Sequence, residues 1–70
     1  LSLLRRFRVH QIKLGRALIR DLGTDRDVTE TVRAVAAVAN GLEIDTVAVG
    51  VETERQYLAA TQCGCRSVQG

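Results

Sequence analysis

The chain has 70 residues, a formal net charge of +2 and 46% hydrophobic residues, which fits one small globular domain. It has only two aromatic residues and no run of about 18 apolar residues. We therefore expect neither a membrane span nor the aromatic stacking surface of single-strand nucleic-acid binders. Residues 1–20 carry six cations and no acid, whereas residues 21–70 carry four arginines and eight acids. We interpret the basic half as a solvated face that pairs with the acidic half, because no DNA-reading motif is present.

Cysteine and histidine content argues against a disulfide or a zinc site. Cys63 and Cys65 lie two residues apart, a spacing that would strain a disulfide, and His10 is the only histidine. A structural zinc ion usually needs four ligands. The sequence therefore predicts reduced thiols and a cytoplasmic location. The first residues are not a signal peptide, because their charges follow the apolar residues.

The first third of the chain predicts a helix end, a strand and a short helical turn. Apolar residues recur at helical spacing over 1–7, which indicates the end of an amphipathic helix. Residues 10–14 are rich in apolar side chains and predict a strand. Residues 15–22 predict a helical turn that ends at Gly23.

A longer helix is predicted over residues 25–40. Its valines step by four and three residues and form one apolar stripe. Thr24 and Asp27 resemble a capping box, which makes Thr24 the predicted N-cap. Asn40 and Gly41 predict the end of the helix, with Gly41 in the left-handed conformation.

The last third predicts strand, helix and strand. Residues 46–49 are short and β-branched, as in a buried strand, and Thr53 with Gln56 predicts a capping box for a helix over 54–62. Gly64 closes that helix, and residues 65–69 predict a third strand. Alternating strands and helices indicate an α/β fold with a parallel sheet. Because three parallel strands leave open edges, we expect either a larger sheet or barrel, or self-association through those edges.

Four segments, in order and at matching spacing, resemble the EAL domain family. They are residues 3–16, similar to "YLKRFPVDELKIDR"; residues 21–25, similar to "DIGTD"; residues 48–54, similar to "AEGVETE"; and residues 64–70, similar to "GCDEVQG". The resemblance implies a partial EAL domain over residues 1–70, the C-terminal fragment of a (β/α)8 TIM-type barrel with about three parallel strands. It covers about the last third of such a barrel.

The resemblance also implies a chemistry, which is the hydrolysis of cyclic-di-GMP to the linear dinucleotide in bacterial signal transduction. The family uses two divalent ions, Mg²⁺ or Mn²⁺, to activate a water for in-line attack on phosphorus. Such ions take carboxylate and amide oxygens as ligands. In a TIM-type barrel these ligands project from the C-terminal ends of the strands.

The resemblance assigns three site residues and shows two losses. Lys13 matches a lysine close to the attacked phosphate, Glu52 matches a glutamate that holds a loop near the metals, and Gln69 matches a site-lining glutamine. Gly15 replaces an aspartate and Val49 replaces a glutamate, so two carboxylates are missing. We therefore expect Lys13 and Glu52 to be vestigial catalytic residues, and we expect no metal cofactor for this chain.

Each of these residues also has a plain structural interpretation. Lys13 could be a solvated cation, Glu52 an acid near a helix N-terminus, and Cys65 a small core residue. Three hypotheses for function stay open. They are a degenerate phosphodiesterase fragment that is inactive alone, a non-catalytic module that binds a nucleotide or a protein, and a hydrolase completed by an upstream barrel segment. The candidate partners are cyclic-di-GMP and that segment.

Overall fold

A computed structural model of the chain describes residues 11–70, so the predicted helix over 1–7 and His10 lie outside the described residues. The structure contains strands β1 (Gln11–Leu14), β2 (Asp45–Ala48) and β3 (Ser67–Val68), and helices α1 (Arg16–Arg20), α2 (Arg26–Gly41) and α3 (Glu54–Cys63). Strands and helices therefore alternate as the sequence predicts, and α1 is the helical turn predicted over 15–22, shortened to Arg16–Arg20. No helix in the described part of the chain is long and apolar enough to cross a membrane.

The three strands form one parallel sheet in the order β1-β2-β3. Leu14, Ala48 and Val68 share one row of the sheet, because Leu14 pairs with Ala48 and Ala48 pairs with Val68. Consecutive residues of a strand point to opposite faces, so Lys13 lies on the face opposite to Leu14. β2 is the central strand, and Thr46, Val47 and Ala48 are fully buried.

Predicted strand boundaries shift by one or two residues. β2 begins at Asp45 rather than at 46, and β3 covers only Ser67–Val68 of the predicted 65–69. β3 is short because the amide of Cys65 still donates to Ala60 at 3.1 Å and so belongs to the end of α3. The residues that flank β3 continue its pairing, since Arg66 donates to Thr46 at 3.0 Å and Gln69 donates to Ala48 at 2.8 Å.

The predicted N-cap of α2 is wrong by one residue. The N-cap is Asp25, which has extended backbone geometry and whose Oδ1 accepts from the amides of Asp27 at 2.9 Å and Val28 at 3.2 Å. The Thr24 hydroxyl donates instead to the carbonyl of Asp21 at 3.1 Å, in the turn that precedes the helix. Asp and Thr are both good cap residues, and this local turn decides between them.

The end of α2 also differs from the prediction. Gly41 is still helical, and the left-handed residue is Glu43, with φ of 59°. The amide of Ile44 donates to Ala39 at 2.8 Å and that of Glu43 donates to Asn40 at 3.2 Å. These two bonds form a Schellman motif, in which the left-handed residue lies two positions after the last helical residue. Helix α2 therefore ends after Gly41, with a non-glycine residue in the strained position.

Helix α3 confirms its predicted flanking residues, Thr53 and Gly64, and extends one residue beyond the predicted range of 54–62. The Thr53 hydroxyl accepts from the amide of Gln56 at 3.1 Å, and the Gln56 side chain accepts from the amide of Thr53 at 3.2 Å, which is a complete capping box. Gly64 ends the helix with φ of 101°, a conformation that glycine adopts without steric cost.

The core lies between one face of the sheet and the three helices. Its buried side chains come from every element except β3, and Val68 of β3 packs against them. They are Leu14, Ile19, Leu22, Val32, Ala48, Ala60, Cys63 and Cys65. The helices therefore cover the sheet face to which Leu14 and Ala48 point, and this packing fixes where the three strand ends lie.

Candidate functional site

The C-terminal ends of the three strands meet at one edge of the sheet. We call this edge the carboxyl edge and define it as residues 13–16, 49–53 and 69–70. Backbone hydrogen bonds between the neighbouring segments continue past the ends of the strands. The amide of Val49 donates to the carbonyl of Leu14 at 3.0 Å, and the amide of Val51 donates to the carbonyl of Gln69 at 2.9 Å. All five positions that the sequence selects, Lys13, Gly15, Val49, Glu52 and Gln69, lie at this edge.

Lys13 is exposed at the end of β1, opposite Val47 of β2. It lies on the sheet face that points away from the helical core, since its neighbour Leu14 is buried in that core. Lys13 makes no salt bridge with any carboxylate among residues 11–70. Its ammonium group is therefore available to an anion at the carboxyl edge.

Glu52 lies in the segment between β2 and α3, and Gln56 fixes that segment. Gln56 is only 6% exposed, and its Oε1 accepts from the amides of Glu52 at 2.7 Å and Thr53 at 3.2 Å. The Glu52 side chain itself is exposed. Sequence reasoning identified Gln56 only as a cap of α3. Its bond to Glu52 shows that it also positions the residue before the cap.

Gln69 lies one residue beyond β3, with an exposed side chain. Both backbone groups of Gln69 form hydrogen bonds, since its amide donates to the carbonyl of Ala48 and its carbonyl accepts from the amide of Val51. The position of Gln69 relative to β2 is therefore set by the backbone and does not depend on its side chain.

The carboxyl edge does not provide the ligands of a two-metal centre. Gly15 has extended geometry and open space around its Cα, and Val49 is half-buried, so neither position offers an oxygen ligand from a side chain. Glu52 is the one carboxylate side chain of the edge. Within residues 11–70, no three His, Cys, Asp or Glu side chains lie together in a way that could hold a metal ion. The residues present do not fit the divalent ions that the family resemblance implies.

Arg16 is a residue of this edge that sequence reasoning missed. Its side chain lies across Gly50, so that a methyl group at residue 50 would lie 2.8 Å from Arg16 Cγ and 2.9 Å from Arg16 Nε. Gly50 has φ of 81°, which also favours glycine. The sequence signal for Arg16 was its place as the last residue of the family-like segment 3–16.

The two cysteines lie away from this edge. Both are buried free thiols, and Cys63 Sγ lies 3.7 Å from the carbonyl oxygen of Thr29. Burial raises the pKa of both thiols above its ordinary value, and for Cys65 the adjacent Thr46 hydroxyl partly opposes that rise. The raised pKa keeps both thiols protonated at neutral pH, which disfavours metal ligation and nucleophilic chemistry. The prediction that Cys65 is a small core residue is confirmed.

Two surface clefts lie beside α3, one against α2 and one against Gly23, and both are separate from the carboxyl edge. Both are lined by Gly23, Ala59 and Gln62, and neither includes a residue of that edge. These two clefts therefore do not coincide with the strand ends that carry the site residues.

Comparisons with known proteins all point to one family. The EAL domain model matches residues 1–70. The bifunctional diguanylate cyclase/cyclic di-GMP phosphodiesterase MucR of Pseudomonas aeruginosa is 39% identical over 67 residues, which cover 96% of this chain and 10% of MucR. The chain therefore spans about a tenth of the length of this curated relative.

Solved structures agree with the fold. The EAL domain of Mycobacterium smegmatis DcpA is 39% identical with a TM-score of 0.85, over 99% of this chain and 31% of that domain. The manganese/cy-diGMP complex of Klebsiella pneumoniae BlrP1 is 36% identical with a TM-score of 0.88, over all of this chain and 18% of BlrP1. These matches confirm the predicted fold class, three parallel strands of a TIM-type barrel with connecting helices.

Proposed function

Because this chain belongs to the EAL domain family, we propose that it forms part of an EAL barrel whose site no longer supports metal-dependent hydrolysis of cyclic-di-GMP. The observation that carries this proposal is the chemistry of the carboxyl edge. Two strand ends that would supply carboxylates in this family end in Gly15 and Val49. A pair of divalent ions needs several oxygen ligands in a fixed geometry, so the loss of two carboxylates weakens both metal binding and water activation.

The remaining site residues fit a site that contacts phosphate without cleaving it. Lys13 places a positive charge at the end of β1, where it would stabilise a phosphodiester oxygen. Glu52 and Gln69 stay in positions fixed by hydrogen bonds, as support for the edge. We propose Lys13 and Glu52 as vestiges of the catalytic site, Gln69 as a site-lining residue, and no metal ion of this chain's own.

Residues 1–70 are then one part of an EAL domain, with an upstream barrel segment as the partner that completes the ring of strands. In the absence of that segment, the open edges of β1 and β3 favour self-association. We place the protein in the cytoplasm, where both buried thiols stay reduced.

A second candidate function is a non-catalytic module that binds cyclic-di-GMP. The observation that favours it is that Lys13 is retained while the carboxylates beside it are lost, which leaves the edge more positive. The BlrP1 structure that this chain matches over its whole length is a complex with cy-diGMP.

A chimera tests the loss of hydrolysis. Residues 1–70 replace the matching segment of the MucR phosphodiesterase domain, and hydrolysis of cyclic-di-GMP is measured with Mg²⁺ or Mn²⁺. We expect turnover at least about 100-fold below that of MucR, since each missing electrostatic group costs about that factor. The double variant Gly15→Asp, Val49→Glu of the chimera should recover most of the activity. Gly15 can accept the aspartate because nothing lies within 4 Å of a Cβ at that position.

Thermal unfolding of both chimeras is the control, and both should melt cooperatively. Hydrolysis by the unmodified chimera within about tenfold of MucR would overturn the proposal, because it would show that neither carboxylate is needed.

A further inference from the structure

The two free cysteines lie on either side of Gly64, where helix α3 leads into strand β3. Cys63 is the last residue of α3, and Cys65 lies two positions before β3. Both residues are at most 8% exposed, and both belong to the same core cluster. Gly64 has φ of 101°, so the backbone bends between them. The two thiols therefore enter one core from adjacent points of the chain.

The short spacing makes a disulfide between these cysteines strained but not impossible. Disulfides usually bridge Cα atoms about 4.4–6.8 Å apart. Two residue steps span at most about 7 Å in an extended chain, and the left-handed Gly64 shortens that span. A strained disulfide has a high reduction potential, so it forms under oxidising conditions and is easily reduced again. The spacing that argues against a permanent disulfide therefore favours a reversible one.

The cleft between α2 and α3 gives an oxidant access to one of the two thiols. Cys63 lines this cleft, whereas Cys65 lines neither of the two clefts beside α3. Burial raises the pKa of Cys63, and the guanidinium of Arg33, which lines the same cleft, partly offsets that rise. A small disulfide such as oxidised glutathione would therefore react with Cys63 first.

The Thr46 hydroxyl is placed to assist the second thiol. Thr46 is fully buried in the central strand β2, and within residues 11–70 its hydroxyl has no hydrogen-bond partner. The hydroxyl lies beside Cys65, whose pKa is raised by burial and lowered in part by a hydrogen bond from Thr46 to the thiolate. The buried hydroxyl thus gains a partner when Cys65 loses its proton.

We propose that Cys63 and Cys65 form a redox-sensitive latch, which holds β3 in place while both thiols are reduced. The Cys63 thiolate attacks one sulfur of a small disulfide, which forms a mixed disulfide and releases one thiolate. The Cys65 thiolate then attacks the sulfur of Cys63, which closes the disulfide within the chain and releases the second thiolate. The two cysteines lose two electrons and two protons, and the small disulfide takes them up as two thiols.

Closure of this disulfide would disturb the junction between α3 and β3. In the reduced chain the amide of Cys65 donates to the carbonyl of Ala60 at 3.1 Å, and that of Arg66 donates to the carbonyl of Thr46 at 3.0 Å. A disulfide ring this small requires the backbone of Cys65 to turn, which breaks the first bond and shifts the second. β3 has only two residues, so we expect oxidation to loosen it together with Gln69 of the carboxyl edge.

Oxidation of the intact chain in a glutathione redox buffer tests this inference. Mass spectrometry follows the loss of two hydrogens, and amide hydrogen exchange is compared between the oxidised and reduced chains. We expect a disulfide within one chain that dithiothreitol reverses. The amides of Cys65, Arg66 and Gln69 should exchange at least about tenfold faster after oxidation, whereas those of Val32 and Ala36 in α2 should change less than about twofold.

Three variants separate the steps. Thr46→Val removes the buried hydroxyl and should slow closure at least about threefold, since one hydrogen bond to the attacking thiolate is lost. The matched control is Thr31→Val, which removes a hydroxyl from the exposed surface of α2 and should leave the rate within about twofold. Cys63→Ser leaves Cys65 without a partner, so no disulfide should form within the chain and exchange at Gln69 should stay slow in oxidant.

Four results would overturn the inference. They are a disulfide between chains or a lasting mixed disulfide in place of closure, equal closure rates for Thr46→Val and Thr31→Val, equal exchange of β3 in the oxidised and reduced chains, and fast exchange of β3 in the reduced chain. The last result would show that the reduced thiols hold nothing in place. None of these readouts involves a nucleotide, so they leave the proposed loss of hydrolysis unaffected.

Discussion

At the scale of single residues, local backbone bonds decide positions that sequence patterns leave ambiguous. Thr24 and Asp25 are both good cap residues, and the bond from Thr24 to Asp21 leaves Asp25 as the cap of α2. The Asn40-Gly41 pair predicts an end of α2 that is one residue early. The left-handed residue is Glu43, and the buried residue Ile44 that follows it donates the Schellman bond to Ala39. A sequence pattern cannot supply this, since the choice depends on which apolar side chain reaches the core.

Exchanging glycine between these two positions should stabilise the chain. Glu43→Gly should raise the free energy of unfolding by about 1 kcal/mol, because Glu43 pays a steric cost at positive φ that glycine lacks. Gly41→Ala should raise it by about 0.5–1 kcal/mol, because residue 41 is helical and a Cβ there meets nothing within 4 Å. Denaturant unfolding monitored by circular dichroism measures both.

A third variant, Glu43→Ala, is the control for these two substitutions. Glu43→Ala should leave the stability nearly unchanged, because alanine meets the same steric cost at positive φ. A Gly41→Ala variant that is less stable than the unchanged chain would show that residue 41, and not residue 43, is left-handed.

At the scale of elements, the helices were more predictable than the site that they position. The capping box of α3 was visible as Thr53 and Gln56, and the structure confirms it. The second bond of Gln56, to the amide of Glu52, was not predictable from that motif, because it depends on the path of the segment between β2 and α3. The packing of Arg16 on Gly50 escaped prediction for a similar reason, since it joins residues 34 positions apart.

Gln56 should therefore be needed for both helix stability and the order of the Glu52 segment. Gln56→Ala should lower the free energy of unfolding by about 1–2 kcal/mol, because it removes the acceptor for two amides. In the Gln56→Ala variant, amide hydrogen exchange at Glu52 and Thr53 should be accelerated, relative to the unchanged chain, more than at the neighbouring residues.

Gln56→Glu is the matched variant, because a glutamate in this position also completes a capping box and lies in the first turn of α3. It should retain most of the stability and the slow exchange at Glu52. If Gln56→Ala left the exchange at Glu52 unchanged, the bond between Gln56 and that residue would not position the segment.

At the scale of the whole molecule, the order of strands and helices along the chain was enough to predict most of the fold. Alternating strands and helices predicted a parallel sheet, and the sheet order β1-β2-β3 follows the chain order. The sequence also placed Lys13, Glu52 and Gln69 at strand ends, and the parallel sheet brings all three to one edge. What the sequence could not provide was the contact between neighbouring strand ends, because register and side-chain packing arise only when the strands are assembled.

The proposed loss of two carboxylates acts at this same scale. A parallel sheet collects the C-terminal ends of its strands at one edge, so a ligand missing from one strand cannot be replaced by another residue of that strand. Gly15 directly follows β1 and Val49 directly follows β2, and these two strands are neighbours in the sheet. The proposed deficit is therefore concentrated at one side of the carboxyl edge, beside Lys13 and Arg16.

Manganese binding by the chimera with MucR tests most directly whether this edge has lost its metals. The concentration of free Mn²⁺ is followed by electron paramagnetic resonance during titration of the unmodified chimera and of its Gly15→Asp, Val49→Glu variant. We predict that the variant takes up about two ions per domain and that the unmodified chimera binds Mn²⁺ at least about tenfold more weakly. Equal uptake by both proteins would contradict the claim that glycine and valine at these strand ends abolish the metal centre.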